Sequence, residues 1–126
     1  FFLRLIKFIK IDKTRFFIHS KLQKLPETEF KEILKLAKEF VEQNNSKLYF
    51  VYLPEYYHYK KNYNDNEYEL VRNIVNELDI SFIDIHKEVF EKEQNPLKLF
   101  PFELFGHYNT EGYKKIAETI FEFTKN

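Results

Sequence analysis

Two short apolar runs set the terms on which this chain can fold. Lys47-Leu-Tyr-Phe-Val-Tyr-Leu53, closed by Pro54, and Ile80-Ser-Phe-Ile-Asp-Ile85 are apolar on both faces. Such a strand is covered on both sides, the pattern of a central strand in a parallel sheet rather than a half-solvated antiparallel one. Segments of helical period flank both runs. Residues 26–44 open with Pro26, carry Glu27 and Glu29 in the first turn and stop at Asn44-Asn45. Phe30, Ile33, Leu34, Ala37, Phe40 and Val41 form the face of that helix expected to be buried. Between the runs, Glu67 to Leu78 turns Tyr68, Val71, Val75 and Leu78 inward. After the second run come a short helix from His86 to Glu93, a turn at Asn95-Pro96 and a loop from Leu97 to Phe105. The last helix places Tyr113, Ile116, Ala117, Ile120 and Phe121 at i, i+3, i+4, i+7 and i+8, one apolar stripe. Helices alternating with these strands predict an α/β fold, a parallel sheet sandwiched by helices.

At 126 residues the chain is one domain's worth and can bury a real core. Lys+Arg and Asp+Glu both number 20, so net charge favours neither nucleic acid nor an acidic partner. The balance is uneven: residues 1–24 hold seven Lys/Arg against Asp12 alone. Phe1 to Ile11 mixes apolar residues with Arg4, Lys7 and Lys10 near one helical face. That stretch is too short and too charged to span a bilayer, and it lacks the apolar core and cleavage site of a signal peptide. It reads as an ordinary helix packing on parts of the domain missing from this sequence, since Phe16-Phe17-Ile18 continues the apolar demand, with a membrane-surface helix as the alternative. Opening on Phe1 in mid-pattern, the chain reads as part of a longer protein. Cysteine is absent, which removes disulfides, a thiolate nucleophile and Cys-ligated zinc. His19, His58, His86 and His107 show no metal-ligand spacing, so no metal is expected.

Two segments are placed to carry chemistry. Residues 55–66 follow the first strand, where open α/β sheets collect ligands, and Tyr56, Tyr57 and His58 are candidate substrate contacts there; a covering surface loop is the alternative. The other segment holds both glycines of the chain, Gly106 and Gly112. So sparing a use predicts that the backbone demands them, by a positive φ or a close approach. Between them lie His107 and then Asn109 and Thr110, either a helix cap. A histidine on a tight turn before a buried helix suits a general base, or is simply a helix-entry residue with local hydrogen bonds. Asp84, at the end of the second strand, caps the next helix or faces the site.

Gly106-His-Tyr-Asn-Thr-Glu-Gly-Tyr-Lys-Lys-Ile-Ala117 resembles the last sequence block of the SGNH (GDSL-type) hydrolases. The order of elements before it is similar to the C-terminal half of that family's domain. The resemblance implies a three-layer α/β/α, flavodoxin-like parallel sheet in which Val51–Pro54 and Phe82–Asp84 are the fourth and fifth strands. It also implies ester hydrolysis through an acyl-enzyme, with His107 as catalytic base, Asn109 near the substrate and no cofactor. The family places an aspartate three residues before that histidine, to orient the ring. Leu104 stands there, which makes Glu103, one residue earlier, the catalytic carboxylate candidate, with Asp84 a weaker one. The family's Gly-Asp-Ser turn and its glycine and Gly-x-Asn-Asp blocks have no counterpart, and Ser20, Ser46 and Ser81 sit in no nucleophile elbow. The nucleophile is therefore expected in a preceding half. The substrate implied is a small-molecule ester or an acylated carbohydrate or lipid. The other readings are a non-catalytic, partner-binding relative and a peripheral membrane protein acting through its basic first 24 residues.

Overall fold

The structure, a computed structural model, describes residues 26–61 and 63–125. The expectations for residues 1–11, Phe16-Phe17-Ile18, His19 and Ser20 lie outside the described residues. The chain divides into two compact units, 1–33 and 34–126. In the first, the described residues are Pro26 and the opening turns of helix α1 (Glu27–Gln43), where the Pro26 carbonyl accepts the Phe30 N–H at 3.1 Å. In the second, α1 ends as its asparagines predict. Asn45 takes a left-handed φ of 52°, and the Ser46 N–H returns to the Val41 carbonyl at 3.0 Å. The expected burial of its apolar face is a correction: no residue of α1 is buried, and Ile33 and Phe40 are more than half exposed. Periodicity marks a face able to be buried, but burial itself requires a covering element.

Strand β1 (Tyr49–Tyr52) pairs in parallel with β2 (Ser81–Asp84), Tyr49 against Ser81 through Tyr52 against Asp84. Among the described residues these form one two-stranded sheet, and helix α2 (Asn66–Glu77) joins them. The fold is thus mixed α/β with a parallel pair. Both strands are shorter than their apolar runs. Asp84 ends β2, because its Oδ1 accepts the Lys87 N–H at 3.2 Å and starts helix α3 (Ile85–Glu88) at once. The helix expected over His86–Glu93 breaks at Val89 (φ −119°, ψ −60°) and resumes as a 3-10 turn over Phe90–Lys92.

The sheet is apolar on both faces, as its runs predict. On one, Tyr49, Val51 and Ile83 pack with Ile85, Val89, Phe90, Leu99, Phe100 and Ile116. On the other, Phe50 stacks on Phe82 with ring centres 5.8 Å apart, and Tyr52 meets Tyr68 of α2 at 4.9 Å. Tyr68, Ile74 and Val75 form the buried face of α2, while Val71 and Leu78 are only half-buried. Helix α4 (Thr110–Thr124) buries Gly112 and Ile116 and half-buries Ile120. Tyr113, Ala117 and Phe121 of the expected stripe are exposed, so the covered face is narrower than the sequence pattern.

Candidate active site

The segment between β2 and α4 is held by three 3-10 turns, at Phe90–Lys92, Pro96–Leu99 and Pro101–Glu103. Prolines open the second and third, where a fixed φ suits the first position of a turn. Asn109 then caps α4: its Oδ1 accepts the Gly112 N–H at 2.9 Å, and its Nδ2 donates to the Lys98 carbonyl at 2.7 Å. The Asn109 N–H adds a bond to the Leu99 carbonyl at 2.9 Å, so the helix start is sewn to the turn before the histidine. Gly112 is the close approach its scarcity predicted, since a Cβ there would lie 2.8 Å from the Leu99 carbonyl oxygen. Gly106 shows neither feature: its φ is not positive and the space around it is open. The left-handed backbone falls instead on Phe102 (φ 53°) and Glu103 (φ 57°), at a cost of about 1–2 kcal/mol each.

Two tyrosine hydroxyls fix this loop over the carboxyl end of β1. Tyr108, next to His107, donates to the carbonyl of Pro54, and burial holds its own hydroxyl protonated far above the usual phenol range. Tyr56, in the 3-10 turn Tyr56–Tyr59 that follows β1, donates to the Glu103 carbonyl at 3.0 Å. Tyr57 stacks on Phe105 at 5.2 Å. His107 itself is exposed, with no hydrogen bond or ion pair to another described residue. The carboxylate of Glu103 does not meet it, because Oε1 accepts from Asn95 Nδ2 at 3.2 Å. Phe102, Leu104 and Phe105 form an exposed apolar rim on the same loop, Phe102 at 93% exposure.

The same turn sends its next two side chains elsewhere. His58, its side chain only 4% exposed, places Nε2 3.2 Å from Nε2 of His86. His86 Nδ1 lies 3.0 Å from the Tyr59 hydroxyl, and His86 Nε2 lies 3.1 Å from Glu91 Oε1. Asp65 Oδ1 stands 3.8 Å from His58 Nε2. With Glu91 ionised, the pairing that satisfies most groups gives His86 an Nε2–H, with its Nδ1 accepting from Tyr59 and the Nε2 of His58 accepting in turn. The hydrogen of His58 then sits on Nδ1, a buried atom with no partner among the described residues. Burial, and then the neighbouring His86, hold His58 below the ordinary histidine range, against the pull of Asp65, Asp84 and Glu91. Beside the pair, the Tyr68 hydroxyl donates to Asp84 Oδ2 at 2.6 Å. His58, Tyr59, Asp65, Tyr68, His86 and Glu91 line a cleft of about 500 Å³.

The sequence candidates therefore separate into two places. Tyr56, Tyr57, Glu103, His107 and Asn109 belong to the histidine loop and its supports, Tyr56 buried beneath it and Asn109 occupied as a cap. His58 belongs to the cleft, and Asp84 both caps α3 and serves Tyr68. Sequence reasoning missed His86, Tyr59 and Glu91 as partners of His58. The signal for them was topological: His58 and His86 each follow the carboxyl end of one of two neighbouring parallel strands. Among the described residues no three His, Asp or Glu converge as a metal site. No helix among them is long and apolar enough to cross a membrane. The chain matches no protein-family model, no curated protein and no solved structure.

Proposed function

We propose that this chain supplies the general base of a serine ester hydrolase, within a three-layer α/β/α sheet completed by residues beyond those described. The observation that carries the reading is the anchoring of the histidine loop. Tyr108 and Tyr56 tie it to the carboxyl end of β1, where open α/β sheets place their sites, while His107 has no hydrogen-bond or ion-pair partner among the described residues. A fixed backbone bearing a free imidazole is what proton transfer to an incoming substrate requires. His107 takes the proton of a serine hydroxyl as its oxygen attacks the ester carbonyl carbon, then returns that proton to the departing alcohol. The acyl-enzyme is cleared by water, deprotonated by the same ring. Glu103 becomes the orienting carboxylate by leaving its exposed bond to Asn95, an exchange that costs about 1 kcal/mol. Phe102, Leu104, Phe105 and Tyr57 offer apolar surface to the acyl part of a small ester or an acylated carbohydrate or lipid.

The test is His107→Ala in the full-length protein, assayed on a short aryl ester with thermal unfolding in parallel. Turnover is expected to fall by about 10³-fold with the fold unchanged. Turnover that survives the substitution overturns the reading and leaves the loop as a scaffold for partner binding.

A further inference from the structure

The His58–His86 contact has a protonation limit built into its geometry. Two ring nitrogens 3.2 Å apart hold one hydrogen between them. One added proton is accommodated: Glu91 accepts from His86 Nε2, and the Tyr59 oxygen accepts from Nδ1 in place of donating to it. A second proton is not, because both Nε2 atoms then carry hydrogens that face each other, in a place where one of the rings is nearly all buried. The other groups facing the pair relieve this only in part. Tyr52 from β1, Tyr63 from the intervening loop and Tyr68 from α2 are all held protonated by burial and bring no charge. Asp65 stands beyond hydrogen-bond distance, Asp84 is engaged by Tyr68 and the Lys87 N–H, and Glu69 at the cleft wall pairs with Arg72. Lys60 and Lys87 at the rim add positive charge.

His58 sits in the same 3-10 turn as Tyr56, whose hydroxyl holds the Glu103 carbonyl. We propose that the His58–His86 pair is an acid-operated latch: double protonation releases the 56–59 turn, and with it the Tyr56 clamp on the histidine loop. Above that point the loop is held, and below it the loop keeps its attachments through Tyr108, Asn109 and the Asn95–Glu103 bond. The latch concerns how the loop is held, and it stands whether or not His107 is catalytic.

Histidine-ring NMR titration combined with site-resolved amide exchange tests it in the intact protein. The amides of Glu103 and Leu104 donate within the clamped turn, to Phe100 and Pro101, and report its opening; the Asn109 amide, bonded to Leu99, is the internal control. The ring of His58 is expected to take up its proton only below the ordinary histidine range. Across the protonation of His58 the protection of Glu103 and Leu104 falls at least tenfold while that of Asn109 holds. Tyr56→Phe, which removes the clamp without touching the pair, lowers protection of both amides at neutral pH and abolishes the acid-dependent loss. The latch is overturned by any of four results: protonation of His58 at an ordinary histidine value, unchanged Glu103 and Leu104 protection, an equal loss at Asn109, or an acid response that persists in Tyr56→Phe.

Discussion

The histidine loop and the His58–His86 cleft flank the same four-residue turn and use their histidines in opposite ways. His107 is exposed and has no hydrogen-bond or ion-pair partner among the described residues, on a backbone tied by neighbouring tyrosines. His58 and His86 are covered, and they are bonded to each other, to Tyr59 and to Glu91. An imidazole already committed to neighbours contributes to the fold, whereas one with free nitrogens is available to a substrate. The contrast teaches that a histidine's chemistry follows from what its surroundings leave undone.

The largest effect that bears on this contrast is the one the proposed hydrolase reading predicts for His107→Ala, ester turnover lower by about 10³-fold with unfolding unchanged; a matching loss of stability would erase the distinction between the two regions. Next is Gly112→Ala. Its Cβ meets the Leu99 carbonyl and the Tyr108 Cβ, so α4 and the loop cannot both keep their places. A stability loss of about 1–3 kcal/mol in urea unfolding is expected, accompanied by reduced turnover because the shift moves His107. On the cleft side, Tyr68→Phe leaves Asp84 Oδ2 without its 2.6 Å donor. Chemical denaturation should show about 1.5–3 kcal/mol lost, the range for a bond to a charged group, with turnover retained. The smallest effect is that of pH on stability. The folded protein holds His58 below the unfolded value of 6.5, so the unfolded chain binds the proton first. Stability is full above about pH 6.5 and declines as pH falls toward the folded value, by at most about 1.4 kcal/mol per unit. Denaturation midpoints between pH 7.5 and 5 check this, and His58→Gln should flatten the slope.

What the sequence revealed, and what it did not, divides along the same line. Local signals worked: Pro26 at the start of α1, Asn45 at its stop, Asn109 as the cap and the apolar strand runs all act through residues close in the chain. The close approach at Gly112 was legible because a chain with two glycines does not place them idly. The cleft was not, since His58 meets His86 only through the pairing of Tyr52 with Asp84, which neither stretch encodes alone. Nor were the left-handed residues of the loop, because Phe102 and Glu103 carry no turn signature. The apolar face of α1 shows the opposite failure, a clear pattern none of whose residues is buried and in which Ile33 and Phe40 are exposed.

The parallel pairing of β1 with β2 also sets an order of events during folding. Tyr49 reaches Ser81 only after the intervening chain, with all of α2, has been drawn into a closed loop. The entropy of that closure is lost before any strand contact compensates it, so local helices form ahead of the sheet. The imidazole contact across the strand ends comes after this step, which makes its formation a natural clock for the arrival of the native topology.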